Sequence, residues 1–114
     1  MALKIEEQYK SVVLHLDGKL MGGPFGEEMN KTLHNLLDEG KKHVVVNLGK
    51  VGFVNSSGLG ILISGLTTMR NGGGDLKLAG ITSKVEGLLS ITKLNKIFEQ
   101  FPTVESALKS FEKG

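Results

Sequence analysis

The sequence predicts a single α/β domain built on a mixed, mostly parallel β-sheet with an N-terminal antiparallel hairpin and about four helices. Three observations carry this. The chain has 114 residues, the size of one domain with one core. Apolar residues alternate at the N-terminus, as in half-buried strands, and then recur at spacings of three and four, as in helices. From there helical and strand-like segments alternate to the C-terminus, an order that calls for parallel strands joined by helical crossovers.

Leu3, Ile5 and Glu7 alternate with Lys4, Glu6 and Gln8, and Val12, Leu14 and Leu16 alternate with Val13, His15 and Asp17. Two neighbouring strands with a tight turn near Tyr9 to Ser11 are expected. Met21-Gly22-Gly23-Pro24 breaks the alternation, and Pro24 suits a first helical turn because its missing N–H would have had no partner there. The helix that follows is marked by Phe25, Met29, Leu33, Leu36 and Leu37, with Glu27 and Glu28 near its positive end and Gly40 placed to cap the other.

His43-Val44-Val45-Val46-Asn47-Leu48 does not alternate, as expected of a central strand covered on both faces. After Val51-Gly52-Phe53-Val54, a polar turn, Asn55-Ser56-Ser57-Gly58, leads into Leu59, Leu62, Ile63, Leu66 and Met69 at helical spacing, until Asn71-Gly72-Gly73-Gly74 stops the helix. Leu76 to Gly80 reads as a strand, Val85 to Ile91 as a short helix and Ile97-Phe98-Glu99 as a last short strand. Pro102 and Thr103 open a C-terminal helix with Thr103 as N-cap and Val104, Ala107, Leu108 and Phe111 on its buried face.

With 14 Lys and Arg against 12 Asp and Glu, scattered along the chain, the charge gives little basis for a nucleic acid or anionic membrane partner. The absence of cysteine excludes disulfides and thiolate chemistry. The acidic N-terminal residues Glu6 and Glu7 are unlike a secretory signal, and no stretch approaches the roughly 18 apolar residues of a membrane span. A cytoplasmic protein without cofactor or metal is expected.

The chemistry is expected at Ser56 and Ser57. Backbone N–H groups at a helix start lack partners and carry partial positive charge. A Ser hydroxyl there can cap the helix, its commonest role, or carry a phosphate that those groups partly neutralise. The Ser turn is also how an α/β-hydrolase displays its nucleophile, but Gly-x-Ser-x-Gly would need glycine where Val54 stands, and His15, His34 and His43 all precede the serine. Gly58-Leu59-Gly60 lacks the third glycine of a dinucleotide loop, since Ile63 stands in its place.

Asn55-Ser56-Ser57-Gly58-Leu59-Gly60, between a buried strand and an apolar helix, closely resembles the signature of STAS domains, the bacterial anti-sigma factor antagonists. Gly18-Lys19-Leu20 and the loop after it resemble the family's second recurring segment, and the element order agrees over essentially the whole chain. The resemblance implies a binding module and not an enzyme, taking part in transcription regulation by partner switching. Its partners would be an anti-sigma factor with serine kinase activity and a metal-dependent serine phosphatase. Ser56 would be the phosphorylation site, and Met21, Gly22, Gly23, Asn55, Ser57, Gly58 and Leu59 the partner-binding surface. The chain departs from the family at Asn55 and Met21, where well-studied members carry Asp. That leaves two outcomes open: a kinase with less to hold the hydroxyl by, or a phosphate held at less electrostatic cost. An interaction module of the same fold outside any sigma pathway is the alternative.

Overall fold

A computed structural model describes residues 1–8 and 10–112. Strand β1 (Ala2–Gln8) and strand β2 (Ser11–Leu20) form the expected antiparallel hairpin; Tyr9, in the expected turn, lies outside the described residues. Helix α1 (Pro24–Asp38) leads to β3 (His43–Val54), α2 (Ser56–Asn71) to β4 (Asp75–Ala79), and α3 (Ser83–Ile91) to β5 (Gln100–Phe101); α4 (Val104–Glu112) follows. The strands lie side by side in chain order, β1 antiparallel to β2 and all later neighbours parallel.

Stepping across the sheet in one direction with crossovers of one hand puts α1, α2 and α3 on the same face. Val12, Leu14 and Leu16 of β2, Val44, Val46 and Leu48 of β3 and Leu76 and Leu78 of β4 pack there against Met29, Leu33, Leu62, Met69 and Leu89. The other face holds a smaller core of Val13, Val45, Ala79, Ala107 and Phe111 under α4. The central strand is thus covered on both sides, which is why its apolar run does not alternate. Lys77 is buried beneath α4, where its Nζ donates to Ser110 Oγ at 2.7 Å, stands 4.1 Å from the Phe111 ring centre and lies 3.4 Å from a Glu99 carboxylate oxygen. Charge, hydrogen bond and ring face together make its burial tolerable.

Thr103 caps α4 as expected, its Oγ1 accepting from Ser106 N at 3.1 Å while Ser106 Oγ accepts from Thr103 N at 3.3 Å. The last strand is a correction. Residues 97–99 do not form it; a 3-10 turn, Leu94–Lys96, comes first and pairing with β4 begins where Leu78 N donates to Glu99 O and continues at Gly80 N to Phe101 O. Phe98 is 4% exposed because it plugs the core, so its apolar character reports packing and not a strand.

Candidate functional site

Parallel strands end on the same side of a sheet, and in such folds the loops leaving their carboxyl ends converge. Leu20 of β2 pairs with Val54 of β3, so the segments that follow, Met21-Gly22-Gly23 and Asn55-Ser56-Ser57, emerge together. Asn55 N donates to Leu20 O at 3.2 Å and ties the second segment to the end of β2. The first intrahelical bond of α2, Leu59 N to Asn55 O at 2.9 Å, follows at once.

The cap of α2 is Asn55: its Oδ1 accepts from Gly58 N at 2.8 Å. This corrects the expectation that a serine hydroxyl caps the helix. Three consecutive residues were able to cap, and the helix begins one residue after the first. Ser56 and Ser57 are exposed and their hydroxyls make no hydrogen bond among the described residues. The first turn of α2 holds no acidic side chain, so nothing there neutralises the positive end of the helix. Asn55→Ala is expected to cost about 1 kcal/mol in urea unfolding, whereas Asn55→Asp, which keeps the acceptor, is expected to cost nothing.

The two serines differ in surroundings. A Cβ built on Gly22 would stand 2.8 Å from Ser57 Cβ, and Gly22 has φ of 94°, so only glycine lets the loop pass this close. Ser57 also lines a groove with Gly60, Ile61 and Ser64 of α2 and Gly26, Met29 and Asn30 of α1. Ser56 does not line this groove.

The other residues expected at the site divide by burial. Met21 is 49% exposed beside the turn, and Gly23 is the residue before α1. Gly58 and Leu59 lie beneath the surface; a Cβ on Gly58 would come within 2.0 Å of Leu20 O, and Leu59 belongs to the core. These two seat the helix and do not face outward. One exposed residue escaped the sequence reading. Phe53 is 47% exposed and, with Val54, Lys84, Val85 and Leu88, lines an apolar cleft between the end of β3 and α3. The available signal was its position next to the turn, flanked by Gly52.

The histidines do not gather at the turn. His15 Nε2 meets Glu6 Oε1 at 2.9 Å, its Nδ1 meets Asn47 Nδ2 at 3.0 Å, and Asn47 Oδ1 accepts from Gly49 N. Hydrogen bonds from His15 and then Gln8 hold the Glu6 carboxyl below its ordinary value. His43 stacks on Phe111 at 4.5 Å between ring centres. No cluster of three metal-ligating side chains occurs among the described residues, and no helix among them is long and apolar enough to cross a membrane.

The fold and the turn together define a class: a small α/β module with a five-stranded mixed sheet that presents a polar turn at a helix start. The STAS domain profile matches residues 2–107, and the chain belongs to that family. A Thermotoga neapolitana protein to which the role of anti-sigma factor antagonist has been ascribed is 29% identical over 76 residues, 67% of each chain. The anti-sigma-B factor antagonist of Staphylococcus aureus is 26% identical over 70 residues, 61% of this chain and 65% of that one. In fold, the chain is similar to the anti-sigma factor antagonist SpoIIAA in its unphosphorylated form, with TM-score 0.72, 18% identity and coverage of 97% and 98%. The phosphorylated form of SpoIIAA from Bacillus gives TM-score 0.73, 19% identity and coverage of 96% and 99%.

Proposed function

We propose that this chain is an anti-sigma factor antagonist that binds an anti-sigma factor with serine kinase activity and is released by phosphorylation of Ser56. The observation that carries the proposal is the division of labour at the turn. Asn55 makes the cap, so the Ser56 hydroxyl is exposed and uncommitted at a helix start that lacks an acid. Relatives named as antagonists of anti-sigma factors support the choice of partner.

In this reading the half-exposed Met21 and Phe53 flank the serines as apolar contacts, and the partner packs over all of them. Transfer of the ATP γ-phosphoryl group to Ser56 Oγ, with ADP as the leaving group and the hydroxyl proton taken up by the kinase, adds a charge of about −1.5 to −2. Helix N–H groups offset part of it. The remainder, pressed against an interface shaped for a neutral hydroxyl, drives the partners apart. Asn55 provides the carboxamide oxygen that an Asp would otherwise supply, so the cap survives with one negative charge fewer beside the phosphate. A metal-dependent serine phosphatase then regenerates the binding form.

The test is site mapping by mass spectrometry of protein from its native host, and of protein incubated with ATP and a kinase-type anti-sigma factor captured from that host. Phosphate confined to Ser56 is the expected result. Unmodified protein under all growth conditions, with partners retained, would make it a constitutive interaction module. Phe53→Ser is expected to weaken the same interaction about tenfold without loss of fold, through the apolar area it withdraws. An unchanged Kd in calorimetry would move the interface elsewhere.

A further inference from the structure

We infer that the chain associates with a second copy of itself through β1, the two strands pairing antiparallel about a two-fold axis at Ile5 to join two five-stranded sheets into one. The two edges of the sheet are unlike. β5 has two residues, whereas β1 has seven in unbroken register with β2, without proline or bulge, and only Leu3 among them is even half-buried. Such an edge carries a row of backbone donors and acceptors able to pair with another strand.

Charged residues on an edge normally discourage that pairing. Here their order selects one arrangement. In an antiparallel pair the outward-facing backbone groups recur at every second residue, so a two-fold axis must pass through a residue position. With the axis at Lys4, two lysines oppose each other; at Glu6, two glutamates do. At Ile5 all seven residues pair, and each Lys4 faces Glu6 of the second copy, twice over. Lys4 has no ion-pair partner within its own chain among the described residues, so its charge is available for this contact. Ile5 supplies the apolar part. It is 48% exposed at the mouth of a groove between β1 and α1, beside Thr32 and Leu36. On the axis its side chain meets its own copy, with Cβ atoms about 4.5–5.5 Å apart, and each covers the other.

The experiment is sedimentation equilibrium of the full chain and of two variants, with circular dichroism to confirm their folding. The wild type is expected to dimerise reversibly. Lys4→Glu and Glu6→Lys, each placing like charges opposite one another twice, are expected to weaken self-association about tenfold or more. An equimolar mixture of the two, in which every facing pair is again opposite in sign, is expected to recover it. Because the chain has no cysteine, an Ile5→Cys variant offers a second reading: it should cross-link to its own copy on oxidation, and Glu7→Cys, which faces Leu3 of the second copy, should not. A wild type that stays monomeric up to about 1 mM, variants that associate as strongly as it does, or equal cross-linking at both positions would each overturn the inference.

Discussion

Ser56→Asp is expected to lose binding to the anti-sigma factor while Ser56→Ala keeps it, with both variants as well folded as the wild type. The fold is kept because Asn55 and not Ser56 accepts the Gly58 N–H. Ser56→Ala should move unfolding by no more than about 0.5 kcal/mol, and Ser56→Asp, at the positive end of α2 where no acid stands, should add about 0.3–1 kcal/mol of stability. The binding difference follows from charge. A carboxylate desolvated against a surface shaped for a hydroxyl costs about 2–5 kcal/mol when no cation meets it. That is at least about thirtyfold in Kd, and a phosphate, with more charge and bulk, should exceed it. Calorimetric titration of both variants against the purified anti-sigma factor reads this directly. Equal affinities would leave Ser56 without a switching role, whatever its modification state.

Gly58→Ala is expected to destabilise the protein by about 3 kcal/mol or more, although alanine is the better helix former. The intrinsic preference would favour alanine by about 1 kcal/mol. Against it stands the 2.0 Å approach of the new Cβ to Leu20 O, with Leu20 C at 2.7 Å. Both are backbone atoms at the end of a buried strand, so the start of α2 must lift away from β2. The Asn55 N to Leu20 O bond and the packing of Leu59 would be strained with it. Gly60, two residues on, is the control: nothing lies within 4 Å of a Cβ there, and Gly60→Ala should stabilise by about 0.4–1 kcal/mol. Urea unfolding of the pair separates the explanations. If both variants gain stability, the close approach is not what holds glycine at position 58.

The anti-sigma reading and the β1 dimer stand on different residues, one on the loops after the carboxyl ends of β2 and β3 and the other on the edge strand β1. Loss of one in an experiment leaves the other intact.

What the sequence determined by itself is whatever is set by short-range periodicity and by residues with one dominant local use. Alternation at Leu3 to Asp17 produced the hairpin, the three-and-four spacing from Phe25 to Leu37 produced α1, and Thr103 marked the start of α4 because a capping hydroxyl acts only on residues next to it. The place of the candidate site, at a turn between a buried strand and an apolar helix, was legible for the same reason.

Tertiary structure decided the rest. Asn55, Ser56 and Ser57 are all competent caps, and the bond from Asn55 N to Leu20 O belongs to the particular seating of α2 on β2 that leaves the serines free. Gly58 and Gly22 look alike in sequence as turn residues, yet one is demanded by a carbonyl of β2 and the other by its own φ and by Ser57. The exposure of Phe53 depends on two register shifts between β2 and β3 and on how far α3 reaches, and β5 lies at Gln100–Phe101 because β4 offers its partners there. Each is a contact between segments far apart in the chain, and local preference carries no information about which distant backbone atom will arrive.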